Sequence, residues 1–162
     1  MILKTETVLK EKFIAHLYYF LSIDEINKLL TQIVIYNNPV KKYFVFINPE
    51  TSEHIDDMGE FFFKGGVKIG TYNKNSFPRL NSNGFQYIGN TISKNFINFS
   101  NENDFVNFIK NGTDGQSVID LNFEPQIAVK FRNITIGWGY CKNGHLQHSF
   151  PKSVLKIYKE KD

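Results

Sequence analysis

Residues 118–140 read VIDLNFEPQIAVKFRNITIGWGY, and the fold turns on how they are read. Apolar residues alternate with polar or small ones through most of the stretch. The interruptions fall where turns belong, which is the pattern of antiparallel strands with one face on a core. Ile127, Val129 and Phe131 fall on one face, with Ala128 and Lys130 on the other. Beyond Arg132-Asn133, the residues Ile134, Ile136, Trp138 and Tyr140 share a face, with Thr135, Gly137 and Gly139 opposite. Successive side chains of a strand point to opposite faces, so each set can be buried as a unit. Asparagine tolerates positive φ, so Arg132-Asn133 fits a two-residue hairpin loop. Trp138, the only tryptophan, is expected to be mostly buried, with a partner for its indole N–H. The glycines beside it bare the opposite face, which admits either close internal packing or a ligand.

Downstream, Lys142-Asn143-Gly144-His145 predicts another hairpin turn, after which Leu146, His148 and Phe150 share a face. Pro151 breaks that strand, and residues 154–158 can form a last one. Upstream, Leu9, Phe13, Leu17 and Phe20 recur at helical spacing and predict a helix over residues 6–21. Ser22, three residues before Glu25, opens a capping box for a second helix over Ile23–Ile35, with Asn37-Asn38-Pro39 as its stop. From Lys41 the period changes to that of a strand. Phe61-Phe62-Phe63 and Val67-Lys68-Ile69 flank a glycine turn, and residues 85–88 read as a further strand. Ser100 or Asn101 can cap a third helix over Glu102–Lys110, with Phe105, Phe108 and Ile109 inward and Asn111-Gly112 as its stop. The sum is an α+β fold in a single domain of residues 1–162: an N-terminal helix pair, then an antiparallel β-meander with one inserted helix.

A chain of 162 residues is long enough for a real core, and 16 Phe with 8 Tyr supply it. The lone Cys141 excludes an internal disulfide and any multi-cysteine metal site. No secretion signal opens the chain and no run approaches a membrane span, so a cytoplasmic protein without a membrane partner is expected. Charge is segregated. Residues 61–101 and 125–159 contain basic residues and no acid, whereas Glu53, Asp56, Asp57 and Glu60 crowd one short loop.

No catalytic, metal or cofactor site is expected. His145 and His148 are three apart on a hairpin and point to opposite faces, so they cannot jointly hold one ion. His148, between apolar neighbours, reads as a packed, hydrogen-bonded core residue. A Cys141–His145 thiolate–imidazole pair has no flanking signature. Gly65-Gly66 is followed by neither Lys-Ser nor Lys-Thr and makes no phosphate loop. The acidic loop can be a solvated connection, a divalent-metal site or a surface that steers a basic partner. The segment from Tyr72 to Tyr87 can be core aromatics with solubilising lysines, or a surface that stacks bases and holds phosphates.

A small, motif-poor α+β chain rich in Asn, Lys, Ile and Phe, with an acidic loop at Glu53, Asp56, Asp57 and Glu60, resembles the immunity proteins of bacterial polymorphic-toxin and contact-dependent growth inhibition systems. The resemblance implies an inhibitor that binds a cognate toxin domain, such as a nuclease, and blocks its active site or substrate-binding face. The four acids would then stand in for nucleic-acid phosphates. The net charge of +3 departs from the usual acidic inhibitor of a nuclease. The competing reading is a nucleotide- or RNA-binding protein, or an enzyme of phosphoesters, with Tyr72, Lys74, Arg79, Lys130 and Arg132 as contacts.

Overall fold

Leu9, Phe13 and Leu17 recur every fourth residue, and in the computed structural model they form the buried stripe of helix α1 (Thr7–Leu17). The structure describes residues 7–30, 33–37, 42–46, 67–72, 78–114, 126–150 and 155–156. The expected strand at 61–63 lies outside them, and of the one expected at 154–158 only residues 155–156 are described, where the backbone is helical rather than extended. Among the described residues no helix is long and apolar enough to cross a membrane. The fold is α+β, with the helix pair first. The chain gathers into two compact units, Met1–Gly84 and Phe85–Asp162.

In the first unit, α1 tightens after Leu17. The amides of Phe20 and Leu21 both donate to the Leu17 carbonyl, which turns two more apolar side chains into the core. Helix α2 (Ile23–Leu30) starts where Ser22 predicts, with Ser22 Oγ accepting from the Glu25 amide at 3.4 Å. The Glu25 carboxylate turns instead to Lys28, 2.8 Å away. Helix α2 stops at Leu30, five residues short of expectation. Ile33-Val34-Ile35-Tyr36 is a run of β-branched and aromatic residues, stiff at χ1 and suited to a pleated surface. It forms strand β1 (Ile33–Asn37), antiparallel to β2 (Lys42–Phe46). Strands β3 (Val67–Tyr72) and β4 (Arg79–Leu80) complete a sheet of order β1-β2-β3-β4.

Residues 85–88, expected as a strand, are not extended: residues 85–87 belong to helix α3 (Ser82–Tyr87) and Ile88 lies in a turn. Asn81 is the cause. Its Oδ1 accepts from the Gly84 amide at 2.8 Å and its Nδ2 donates to the Lys68 carbonyl at 2.8 Å. One side chain therefore starts the helix and ties it to β3. Gly84 lies so close to the Ile69 carbonyl that a Cβ there would overlap it.

The second unit is a sheet of order β5-β7-β8-β9-β6. Its strands are β5 (Phe96–Phe99), β6 (Thr113–Asp114), β7 (Gln126–Phe131), β8 (Ile134–Lys142) and β9 (His145–His148). The meander is antiparallel from β7 through β9, while β5 lies parallel to β7. Helix α4 (Glu102–Asn111) is capped by Asn101, whose side chain accepts from the Asn103 amide, and is closed by Gly112 at φ 72°. Its Phe105, Phe108 and Ile109 pack on Ile127, Val129, Leu146 and Phe150. Phe105 lies nearly parallel to Phe131, with centroids 4.8 Å apart.

Strand β7 is buried on both faces, not one, from Gln126 to Lys130. A bulge also resets β8. Val129 opposes Gly137 but Lys130 opposes Thr135, so Ile136 is the extra residue. Residues directly opposite share a face, so Thr135 and Trp138 join Ala128 and Lys130. Strict alternation had separated Thr135 from Trp138. Gly137 and Gly139 join the α4 side, where a Cβ on Gly137 would come 2.8 Å from Phe150. The bare face is thus filled by internal packing. Trp138 is half-buried, stacked on Phe85 with centroids 6.3 Å apart, and its indole N–H has no partner among the described residues.

Phe105→Ala should lower stability by about 3–5 kcal/mol, the range for large buried aromatics. Trp138→Ala should cost less, because its ring is already partly hydrated in the fold. Urea titrations of the two variants, followed by far-UV circular dichroism, check the order.

Candidate interaction site

The residues proposed from sequence for partner binding, Glu53, Asp56, Asp57 and Glu60, lie outside the described residues, as does Lys74. Tyr72 ends β3. Arg79 is exposed on β4 in the first unit. Lys130 and Arg132 belong to the second unit, near the end of the β7–β8 hairpin, but only Arg132 is exposed there, while Lys130 is buried. The hairpin end is joined by residues of β5 that carry no motif.

Arg132 and Asn133 both take positive φ, 51° and 67°, which is the backbone of a two-residue turn matched to strand twist. The turn is fastened to β5. Asn98 Nδ2 donates to Asn133 Oδ1 at 2.9 Å, and the Asn133 amide donates back to Asn98 Oδ1 at 3.0 Å. The Arg132 amide donates to the Phe99 carbonyl at 2.8 Å. The Arg132 guanidinium lies 4.9 Å from the centroid of the Phe131 ring. Ile134, next in the chain, is 65% exposed. The corner therefore presents a cation, an amide and an aliphatic side chain on backbone that is already ordered. The strands that build it, residues 96–99 and 126–142, contain no acid.

Lys130 takes a different role. Only 8% of it is exposed. Its ammonium donates to the Ile92 carbonyl at 2.8 Å and lies 4.4 Å from the centroid of the Phe96 ring. Burial pushes that ammonium below the ordinary lysine range. It ties the chain entering β5 to the sheet, while the amphipathic stem fills the face shared with Ala128.

The remaining polar side chains weighed from sequence fall as follows. His148 Nε2 donates to the Ile109 carbonyl at 3.0 Å and its ring stacks on Phe150, so it is packed and hydrogen-bonded as expected, but half-buried at the margin of the core. Cys141 pairs across the hairpin with Leu146 and His145 with Lys142, so the thiol and imidazole are on opposite faces. Among the described residues no three His, Cys, Asp or Glu come together as a metal site. The Asn98–Asn133 tie was missed from sequence because β5 was missed. The stretch Phe96-Ile97-Asn98-Phe99 is only four residues long and does not alternate apolar with polar residues. No known family model matches the chain, and no curated protein matches it.

The Lys130 ammonium gives a pH dependence with a definite sign. Between its lowered folded value and its ordinary unfolded value, the unfolded chain holds more protons, so stability rises with pH. Lys130→Met removes that rise. The stability of the wild type relative to the variant should therefore grow as pH climbs into the ordinary lysine range, as read from urea midpoints at neutral and alkaline pH.

Proposed function

We propose that the protein works by binding a protein partner, and that it is an immunity-type inhibitor, covering the active site or substrate-binding face of a cognate toxin domain. The observation that carries this reading is the fastened corner at Arg132, Asn133 and Ile134. Arginine and exposed apolar side chains on ordered backbone are the ingredients of a protein interface, and pre-ordering removes part of the entropy that association must overcome. An exposed isoleucine beside the cation favours a protein surface over a bare phosphate backbone. Lys130 supports the same choice, since its ammonium already has partners inside the fold. The acidic segment with Glu53, Asp56, Asp57 and Glu60 adds a second, oppositely charged element able to steer a basic toxin domain. The nucleotide- or RNA-binding reading keeps Arg79 and Arg132 as exposed cations.

The test begins with the product of the gene immediately upstream. Co-expression should yield a complex and suppress that product's toxicity. Ile134→Asp should weaken the complex about tenfold or more, which is roughly 1.4 kcal/mol or more. Changing Glu53, Asp56, Asp57 and Glu60 together to lysine should abolish it. Unchanged affinity in both variants would remove both surfaces from the interface. RNA retention by the purified protein that survives the four lysines would favour the competing reading.

A further inference from the structure

The sequence contains three Asn-Gly pairs, at 83–84, 111–112 and 143–144. This dipeptide is chemically labile. The glycine amide nitrogen, once deprotonated, can attack the asparagine Cγ because no Cβ hinders its approach. The new N–Cγ bond closes a five-membered succinimide, and ammonia leaves with a proton taken from water. A second water then opens the ring at either carbonyl, giving aspartate or isoaspartate. Nothing is oxidised or reduced, and water is the only co-reactant.

The fold treats the three pairs differently. At the first, the Gly84 amide donates to Asn81 Oδ1 at 2.8 Å, and Gly84 is buried against the Ile69 carbonyl. At the second, the Gly112 amide donates to the Phe108 carbonyl at 2.9 Å, the Asn111 side chain donates to Asn107, and Gly112 abuts the Leu146 carbonyl. Both nucleophiles are thus occupied and enclosed. At the third, Asn143 is exposed at φ 53° and Gly144 has φ 78° with open space where a Cβ would stand. Among the described residues the Gly144 amide has no hydrogen-bond partner. Lys142 and His145 face each other across the same turn, and the Lys142 cation favours the anionic amide and the oxyanion that follows it.

We infer that Asn143 is a site of spontaneous deamidation, selected from the three pairs by the free Gly144 amide in the β8–β9 turn. The aspartate product puts a negative charge into the acid-free segment 125–159. The isoaspartate product lengthens the main chain by a methylene within the turn. Strand β9 carries the fully buried Leu146, so a turn of altered length pulls on the α4 core.

The experiment incubates the purified full chain in mildly alkaline, ammonium-free buffer, with a parallel sample in concentrated urea. Peptide mapping by mass spectrometry, with fragmentation that separates aspartate from isoaspartate, follows each asparagine in time. In the folded sample Asn143 should convert well ahead of Asn83 and Asn111, and in urea the three rates should converge. Either Asn83 or Asn111 converting as fast as Asn143 in the folded protein would overturn the inference. Asn143 remaining intact when folded while converting in urea would overturn it too, since the turn would then be protective.

Discussion

The second unit depends on one contact, the face-to-face packing of Phe105 on Phe131. It joins the inner face of α4 to the end of β7, and Phe99 and Phe150 close around the Phe105 ring at 5.7 and 6.0 Å. Each such aromatic pair contributes about 0.5–1.5 kcal/mol beyond the area it buries. The arrangement also sets where the glycines of β8 must lie. Phe150 reaches Phe105 only by crossing over Gly137, where any larger residue would block it. The alternation of bulky and bare positions in the ITIGWGY stretch is therefore a packing instruction, and its partner lies in the chain itself.

The other face of the same sheet is built differently. Thr135 donates to the Gly89 carbonyl at 3.1 Å and Lys130 to the Ile92 carbonyl at 2.8 Å. Polar groups buried here are matched to carbonyls of the short 3₁₀ turn and loop between α3 and β5, which pair with no strand. An apolar face could not hold such a segment without leaving those carbonyls unsatisfied, at about 1–3 kcal/mol each. The two faces thus divide the labour: one supplies apolar burial, the other specifies the path by which the chain reaches β5.

What was legible in the sequence is what local chemistry decides. The Asn101 and Gly112 ends of α4, its Phe105-Phe108-Ile109 stripe and both hairpin turns follow from caps and positive-φ residues within a few positions of one another. The failures share a cause, since each hinges on a partner distant in sequence. Ile33 continues the helical spacing of Ile26, Leu29 and Leu30, and only pairing with Phe46 makes it strand. Phe85 to Ile88 read as a strand between loops, but Asn81 reaches back to Lys68 and starts a helix. The extra residue in β8 is invisible without β7, and it moves Trp138 to the face opposite the one assigned. At the candidate site, Arg132-Asn133 was readable as a turn, whereas the parallel strand that fastens it was not. Parallel pairing requires a long crossover and leaves no hairpin signal.

The cost of the Arg132 conformation bears on what the corner is for. A left-handed backbone costs an ordinary L-residue roughly 1–2 kcal/mol, and asparagine or glycine far less. The chain uses the cheaper solution at its other hairpin, where Asn143 and Gly144 occupy the two positive-φ positions. At 132 it places an arginine instead and holds it with the Phe99 carbonyl and the Asn98–Asn133 pair. That side chain covers the Phe131 ring only from the outside and fills no core. A strained residue that does not serve packing is best explained by what it presents outward. The strain at Arg132, next to the exposed Ile134, thus supports the proposed binding role by backbone geometry, beside the charge pattern from which that proposal began.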